Sequence, residues 1–153
     1  MSAYFQVLYA EEEDYKPYGV AYAPKGTDLF LLPMSGIRAE SRQLPTFQLR
    51  EGEFADYLAN NAGLRLCSEK LMNIVERNRS PKDAVQWLKA IVVDAGGEQR
   101  AYHALHFPED YPVVNTTASI INGDIVVKPV FDATAVSEHR LFTLPRNMGL
   151  TMF

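Results

Sequence analysis

The chain has 153 residues, of which 47% are hydrophobic and 22% are charged, and its formal net charge is -4. A chain of this length and composition is typical of one globular domain, which buries about 70% of its unfolded surface. Because phosphate binding needs a basic patch and the sequence shows none, we expect no nucleic-acid partner. A basic protein partner is compatible with the acidic balance.

Cys67 is the only cysteine, so no intramolecular disulfide can form and a disulfide-stabilised, exported scaffold is not expected. Its position before a predicted helix can lower a thiol pKa, but Leu64 and Leu66 favour a buried structural thiol. The amino terminus has no basic segment followed by an apolar one, and no run of about 18 apolar residues occurs. We therefore expect a cytoplasmic protein without a membrane partner.

The first predicted element is a strand over residues 4–10, which ends at the densest run of like charges in the chain. Tyrosines follow the acidic run, and prolines and glycines break regular structure as far as Tyr22. The segment is either a solvated loop or a docking surface, on which carboxylates steer a basic partner and tyrosines anchor it. The candidate binding residues are Glu11, Glu12, Glu13, Asp14, Tyr15 and Tyr18.

The next segments carry weaker signals. Residues 29–34 form a compact apolar run between turn residues and predict a short buried strand. The pattern is weak over residues 37–50, and no element is predicted there. Phe54, Tyr57 and Leu58 recur at helical spacing and predict about two helical turns.

An amphipathic helix over residues 68–78 is the most strongly patterned element. The Ser68 hydroxyl can accept a hydrogen bond from the first turn, and Ser80-Pro81 ends the helix. Polar residues surround one apolar stripe, which predicts a helix that lies on a sheet with its other side in solvent. The stripe, which we expect to be buried, is formed by Leu71, Met72, Ile74 and Val75.

A β-hairpin is predicted over residues 87–93 and 100–107, with Gly96-Gly97 as a two-residue turn. This turn sets a register in which Val93 faces Arg100. Alternation then gives a core face and a mixed face that a partner could cover. The predicted core face carries Leu88, Ala90, Val92, Ala101, His103, Leu105 and Phe107, and the mixed face carries Trp87, Lys89, Ile91, Val93, Arg100, Tyr102 and His106.

Asn122-Gly123 is a strong turn signal and predicts a second hairpin over residues 118–121 and 124–127. Residues 141–144 predict a further strand, and residues 150–153 begin another. Together the elements predict an α+β fold, in which the helix packs on a mostly antiparallel, twisted β-sheet. No repeat or linker divides the chain, so we expect a single domain over residues 1–153.

Constellations that could carry out chemistry are weak in this sequence. The odd separation of His103 and His106 places them on opposite faces of a strand, so a shared metal site is not expected. No local sequence supports Cys67 as a nucleophile, and the acidic pair Glu109-Asp110 is expected in solvent. We therefore expect no enzyme activity, no catalytic or metal-binding residues and no cofactor.

Several segments resemble the myxobacterial-type immunity-protein family, formerly a domain of unknown function, whose members sit beside bacterial polymorphic toxins. The resemblance covers most of the chain and is carried by packing motifs. These are Tyr4-Phe5-Gln6-Val7-Leu8, Leu66-Cys67-Ser68-Glu69-Lys70-Leu71, residues 87–93 with 101–107, and Arg140-Leu141-Phe142-Thr143-Leu144.

The resemblance implies a non-enzymatic protein that binds a cognate toxin and so protects the producing cell. Because family members usually continue into a helix after the last strand, it also implies that this chain lacks a carboxyl-terminal helix. Two alternatives stay open, namely a small-molecule-binding or enzymatic α+β domain with an unrecognised pocket, and a general protein-interaction module. Besides the acidic and tyrosine residues at 11–18, Trp87 and Tyr102 on the mixed hairpin face are candidate partner-binding residues.

Overall fold

The computed structural model describes residues 19–28, 31–33, 35–123, 125–143 and 151–152. Its main feature is a closed barrel built from β1 (Gly19–Tyr22), β2 (Thr46–Gly52), β3 (Tyr57–Asn60), β4 (Arg65–Ser68), β5 (Gln86–Val93) and β6 (Gln99–His106). The strand order is β1-β2-β5-β6-β4-β3. The predicted α+β class and mostly antiparallel pairing are confirmed, but the sheet is closed, and the β1–β3 and β2–β5 pairs are parallel.

Alternation along the strands fills the barrel interior with apolar side chains. In β2, Phe47 and Leu49 are buried, whereas the residues between and beside them are exposed. This is the period of two that a strand requires when one of its faces is buried. All six strands contribute to the interior through Ala21, Phe47, Leu49, Leu58, Leu66, Leu88, Ala90, Val92, Tyr102 and Ala104.

The predicted helix is confirmed as α1 (Glu69–Asn78). The Ser68 hydroxyl accepts a hydrogen bond from the Leu71 amide at 3.1 Å, as a helix N-cap should. α1 lies against the outside of the barrel, where Val75 packs with Leu105 and Phe107. The helix therefore covers a second, smaller core next to the barrel interior.

The predicted apolar stripe of α1 is only partly buried. Val75 is 3% exposed, and Leu71 and Met72 are half-buried. Ile74 is 47% exposed, so the prediction that it is buried is wrong. A short helix that touches a convex barrel covers only a narrow line of side chains, and Ile74 lies beside that line.

The predicted hairpin exists as β5 and β6. The predicted register is wrong by one residue, because Val93 pairs with Gln99 instead of Arg100. Asp94 and Glu98 pair next to it, and the Gly97 amide donates to the Asp94 carbonyl at 3.2 Å. Gly97 has a φ of 86°, and the Asp94 carboxylate accepts from the Glu98 amide at 2.8 Å. The connection therefore has three residues instead of two, which is the common form with a glycine in the left-handed region.

This shift inverts the predicted faces of β6, because side chains alternate with a period of two. Tyr102 and Ala104 point into the barrel, whereas Ala101 is exposed and His103 is half-buried. His106, predicted on the mixed face, is 2% exposed. The core positions predicted correctly on this hairpin and its continuation are Leu88, Ala90, Val92, Leu105 and Phe107.

Other segments also differ from their predictions. Residues 57–60 form β3 instead of helical turns, because Leu58 fills the barrel interior between the neighbouring strands. β1 lies in a segment predicted as loop, and β2 was not predicted. Of the strand predicted over residues 29–34, residues 29, 30 and 34 lie outside the described residues, and residues 31–33 form no strand. The predicted strand at residues 4–10 lies outside the described residues.

The chain after the barrel forms a smaller region with its own core. It contains β7 (Ile120–Asn122), β8 (Ile125–Lys128), α2 (Ala133–Ser137), β9 (Phe142–Thr143) and β10 (Thr151–Met152). The β7–β8 hairpin and the β9 and β10 strands were predicted, whereas α2 was not. Asn122, predicted as a turn residue, is instead the last residue of β7 and pairs with Ile125. The local core consists of Tyr111, Val113, Val136 and Phe142. Neither helix in the described part of the chain is long and apolar enough to cross a membrane.

Candidate partner-binding surface

The β7–β8 hairpin and its base carry most of the exposed large apolar side chains in the described part of the chain. Ile120 is 57% exposed, Ile121 40%, Val127 60% and Val130 38%. Exposed apolar groups that cluster in this way mark interaction sites more often than single exposed residues do. We call this surface, formed by Ile120, Ile121, Val127 and Val130, the hairpin patch.

Hydrogen bonds hold the base of the hairpin. The Asn115 amide donates to the Val130 carbonyl at 2.8 Å, and the Val130 amide donates to the Ser119 hydroxyl at 2.8 Å. The Ser119 hydroxyl also donates to the Asn115 carbonyl at 2.6 Å. The Asn115 side-chain oxygen accepts from the amides of Thr117 and Ala118, each at 3.1 Å. The hairpin patch is therefore presented on an ordered support.

The strands of the hairpin pair over a short length. Ile121 faces Val126, Asn122 faces Ile125, and an irregularity separates Ile120 from Ile121. Gly123 has a φ of 58°, a conformation that glycine adopts without steric cost and that a tight hairpin turn requires. In the described residues the hairpin is a separate two-stranded sheet and extends no barrel strand.

Asp83 ties the segment after α2 to the barrel. Its carboxylate is completely buried and accepts from the Ser80 amide at 2.7 Å and from the Arg140 and Leu141 amides, each at 3.2 Å. His139 Nδ1 lies 2.9 Å from the other carboxylate oxygen. These bonds connect the loop after α1 to the approach to β9, so Asp83 holds the chain after α2 against the loop between α1 and β5.

The same cluster could suggest chemistry, because a carboxylate that orients an imidazole is part of many hydrolase sites. The Tyr111 ring stacks on His139 with a centroid separation of 3.8 Å. The Tyr111 hydroxyl accepts from the Ala84 amide and donates to the Lys82 carbonyl. Backbone groups thus occupy both the Asp83 carboxylate and this hydroxyl, which indicates a structural role.

The partner-binding residues predicted from the sequence fall in different places. Glu11, Glu12, Glu13, Asp14, Tyr15 and Tyr18 lie outside the described residues. Trp87 is half-buried against α1, and its indole nitrogen donates to a Glu76 carboxylate oxygen at 2.7 Å. Tyr102 is 2% exposed inside the barrel, donates to the Ala55 carbonyl at 2.8 Å, and burial raises its pKa to about 12. The prediction that Trp87 and Tyr102 share one face is therefore wrong, and Tyr102 is inaccessible to a partner.

The groups considered for metal or nucleophilic chemistry are also dispersed. Burial raises the pKa of the Cys67 thiol to about 12, far from the reactive range. His106 Nε2 lies 2.6 Å from the Ile37 carbonyl and therefore donates to it, because a carbonyl oxygen can only accept. Within the described ranges, no group of three or more His, Cys, Asp or Glu side chains could hold a metal ion.

A groove of about 430 Å³ lies at one end of the barrel, between β2 and the β5–β6 turn, and is open to solvent. The Arg100 guanidinium lies 4.3 Å from the centre of the Phe54 ring and 2.7 Å from a Glu98 carboxylate oxygen. The Asp94 carboxylate accepts from the Glu98 amide. A ligand site usually encloses convergent polar groups, whereas these groups bind one another.

Sequence reasoning predicted the β7–β8 hairpin but did not select it as a binding surface. The available signal was charge, since residues 115–131 contain only two charged residues, Asp124 and Lys128. Asp83 was missed altogether, because one aspartate in a loop has no distinctive spacing.

Comparison with known proteins assigns no function to these surfaces and clusters. No family model matches the sequence, and no curated protein matches it.

Proposed function

We propose that this protein is a non-enzymatic immunity protein that neutralises a cognate bacterial toxin by binding it directly. The proposal starts from the resemblance of its packing motifs to the myxobacterial-type immunity-protein family. The observation that supports it most is the hairpin patch, because an ordered, exposed apolar surface is typical of a protein-binding site.

The polar clusters of the described region favour binding over catalysis. Asp83 and Tyr111 are held by backbone groups, and Tyr102 and Cys67 are buried with raised pKa values. Catalytic groups need a cleft and a pKa suited to proton transfer or nucleophilic attack. A stoichiometric inhibitor needs only a complementary surface.

The test uses the protein encoded by the gene adjacent to this one. That protein is expressed in a bacterial host with and without this chain, and the purified pair is titrated by calorimetry. We expect the neighbour alone to stop growth, this chain to restore growth, and the titration to end at a fixed molar ratio.

Protection by far less than one equivalent of this chain would indicate turnover and would contradict a stoichiometric inhibitor. A neighbour that is harmless, or that does not bind this chain, would also overturn the proposal.

A further inference from the structure

The hairpin patch is carried by a small element with little support from other strands. β7 and β8 pair with each other, and within the described residues neither pairs with the barrel. Side chains on such a two-stranded element can be reached from both of its faces. An isolated hairpin of this size is marginally stable, so its order depends on what holds its base.

The base supplies that order. Ser119 and Asn115 bind the backbone on both sides of the hairpin through hydrogen bonds of 2.6 to 2.8 Å. A binding element that is already ordered loses less conformational entropy when it binds. The exposed apolar residues therefore stand on a preorganised element.

The charge of the hairpin region restricts the chemistry of its partner. Residues 115–131 contain one acidic and one basic residue, although charged residues make up 22% of the chain. A basic partner surface would gain little from this region, whereas an apolar surface would gain the transfer free energy of four aliphatic side chains. The complementary surface is thus apolar and near neutral.

The exposed area of the hairpin patch favours binding to a cleft over binding to a second copy of this chain. The four residues of the hairpin patch, which are 38% to 60% exposed, expose less surface than the about 800 Å² that a stable interface buries on each partner. Two hairpins that met face to face would bury too little surface. A cleft that receives the hairpin would cover both faces and its flanks.

From this combination we infer that the β7–β8 hairpin inserts into an apolar cleft of a different protein. This inference rests on the proposed function and identifies that protein as the toxin. It also adds a second binding element to the acidic segment at residues 11–18, which the sequence predicts.

The test compares charge insertions at equally exposed positions. Val127→Asp places a carboxylate in the hairpin patch, and Ile37→Asp places the same charge at a residue that is 54% exposed elsewhere. Binding to the adjacent-gene protein is measured by calorimetry, after circular dichroism and thermal melting show that each variant is folded. We expect Val127→Asp to weaken binding at least about 30-fold and Ile37→Asp less than about 3-fold.

A conservative variant separates apolar contact from strand shape. Val127→Thr keeps the β-branched shape and adds one hydroxyl, so we expect an intermediate loss of about 3-fold to 10-fold. Equal binding by wild type, Val127→Asp and Ile37→Asp would overturn the hairpin inference but leave the proposed function standing. Absence of binding by the wild type would overturn both.

Sedimentation of this chain alone tests whether a second copy of the chain covers the hairpin patch. We expect a monomer for the wild type and for Val127→Asp at concentrations of about 100 μM, which lie well above the dissociation constant of a stable dimer. A wild-type dimer that Val127→Asp dissociates would mean that a second copy covers the patch, and would overturn the inference of a foreign cleft.

Discussion

Replacing the buried carboxylate of Asp83 should destabilise the protein more than other single polar substitutions. Asp83→Ala leaves the amides of Ser80, Arg140 and Leu141 without their acceptor and removes the partner of His139 Nδ1. Each buried donor that loses its partner costs about 1 to 3 kcal/mol, although relaxation and entering water reduce the sum. We expect the free energy of unfolding to fall by about 3 to 5 kcal/mol, as for other broken buried pairs.

Two variants make this prediction specific. Asp83→Asn keeps the shape and one acceptor oxygen, so we expect a loss of about 1 to 2 kcal/mol. Lys82→Ala removes the exposed ion pair with Glu138, whose side chains are 62% and 54% exposed, and should cost less than about 1 kcal/mol.

The assay is urea unfolding followed by the fluorescence of Trp87, the single tryptophan. Trp87 packs beside α1 and therefore reports the loss of the folded core. A loss below about 1 kcal/mol for Asp83→Ala, or a greater loss for Asp83→Asn than for Asp83→Ala, would refute the reasoning, because the buried acceptor would then not be needed.

Three further predictions follow from burial. Val75→Ala should lower the free energy of unfolding by about 1 to 3 kcal/mol and Ile74→Ala by less than about 0.5 kcal/mol, and equal losses in urea would contradict the packing of α1. Cys67 should react with a thiol reagent at pH 8 only after unfolding, and rapid labelling of the native protein would disprove its burial. Burial and the Arg65 charge lower the pKa of His106 in spite of its bond to Ile37. The unfolded state therefore binds more protons, and stability should fall as pH decreases below about 6.5 towards the lowered folded pKa. His106→Gln should flatten this dependence in urea titrations, and an unchanged slope would contradict the assignment.

The sequence by itself determined the elements whose signals are local. Ser68 caps α1, because a hydroxyl at that position meets the free amides of the first turn. Asn122-Gly123 indicated a hairpin, and Gly123 adopts the left-handed conformation that favours glycine in a turn, although Asn122 itself belongs to β7. Local chemistry over a few residues was sufficient in both cases.

The sequence was insufficient to predict the pairing register of the β5–β6 hairpin, where a shift of one residue changes which side chains are buried. Gly96-Gly97 allows both a two-residue and a three-residue connection, and the Asp94 carboxylate, which binds the Glu98 amide, favours the longer one. The one-residue difference moved Tyr102 from the predicted surface into the barrel. A weak local preference thus decided the accessibility of a predicted binding residue.

Barrel closure and the candidate binding surface were decided only by the tertiary structure. The β1–β3 and β2–β5 pairs join segments that are distant in sequence, and their register depends on which faces become buried together. The runs at residues 120–121 and 125–127 have the same apolar character as buried strands. Ile120, Ile121 and Val127 in these runs stay exposed because the barrel is already complete without them and, in the described residues, no barrel strand pairs with them. Hydrophobicity predicts which side chains favour burial, but only the arrangement of the whole chain determines which of them are covered.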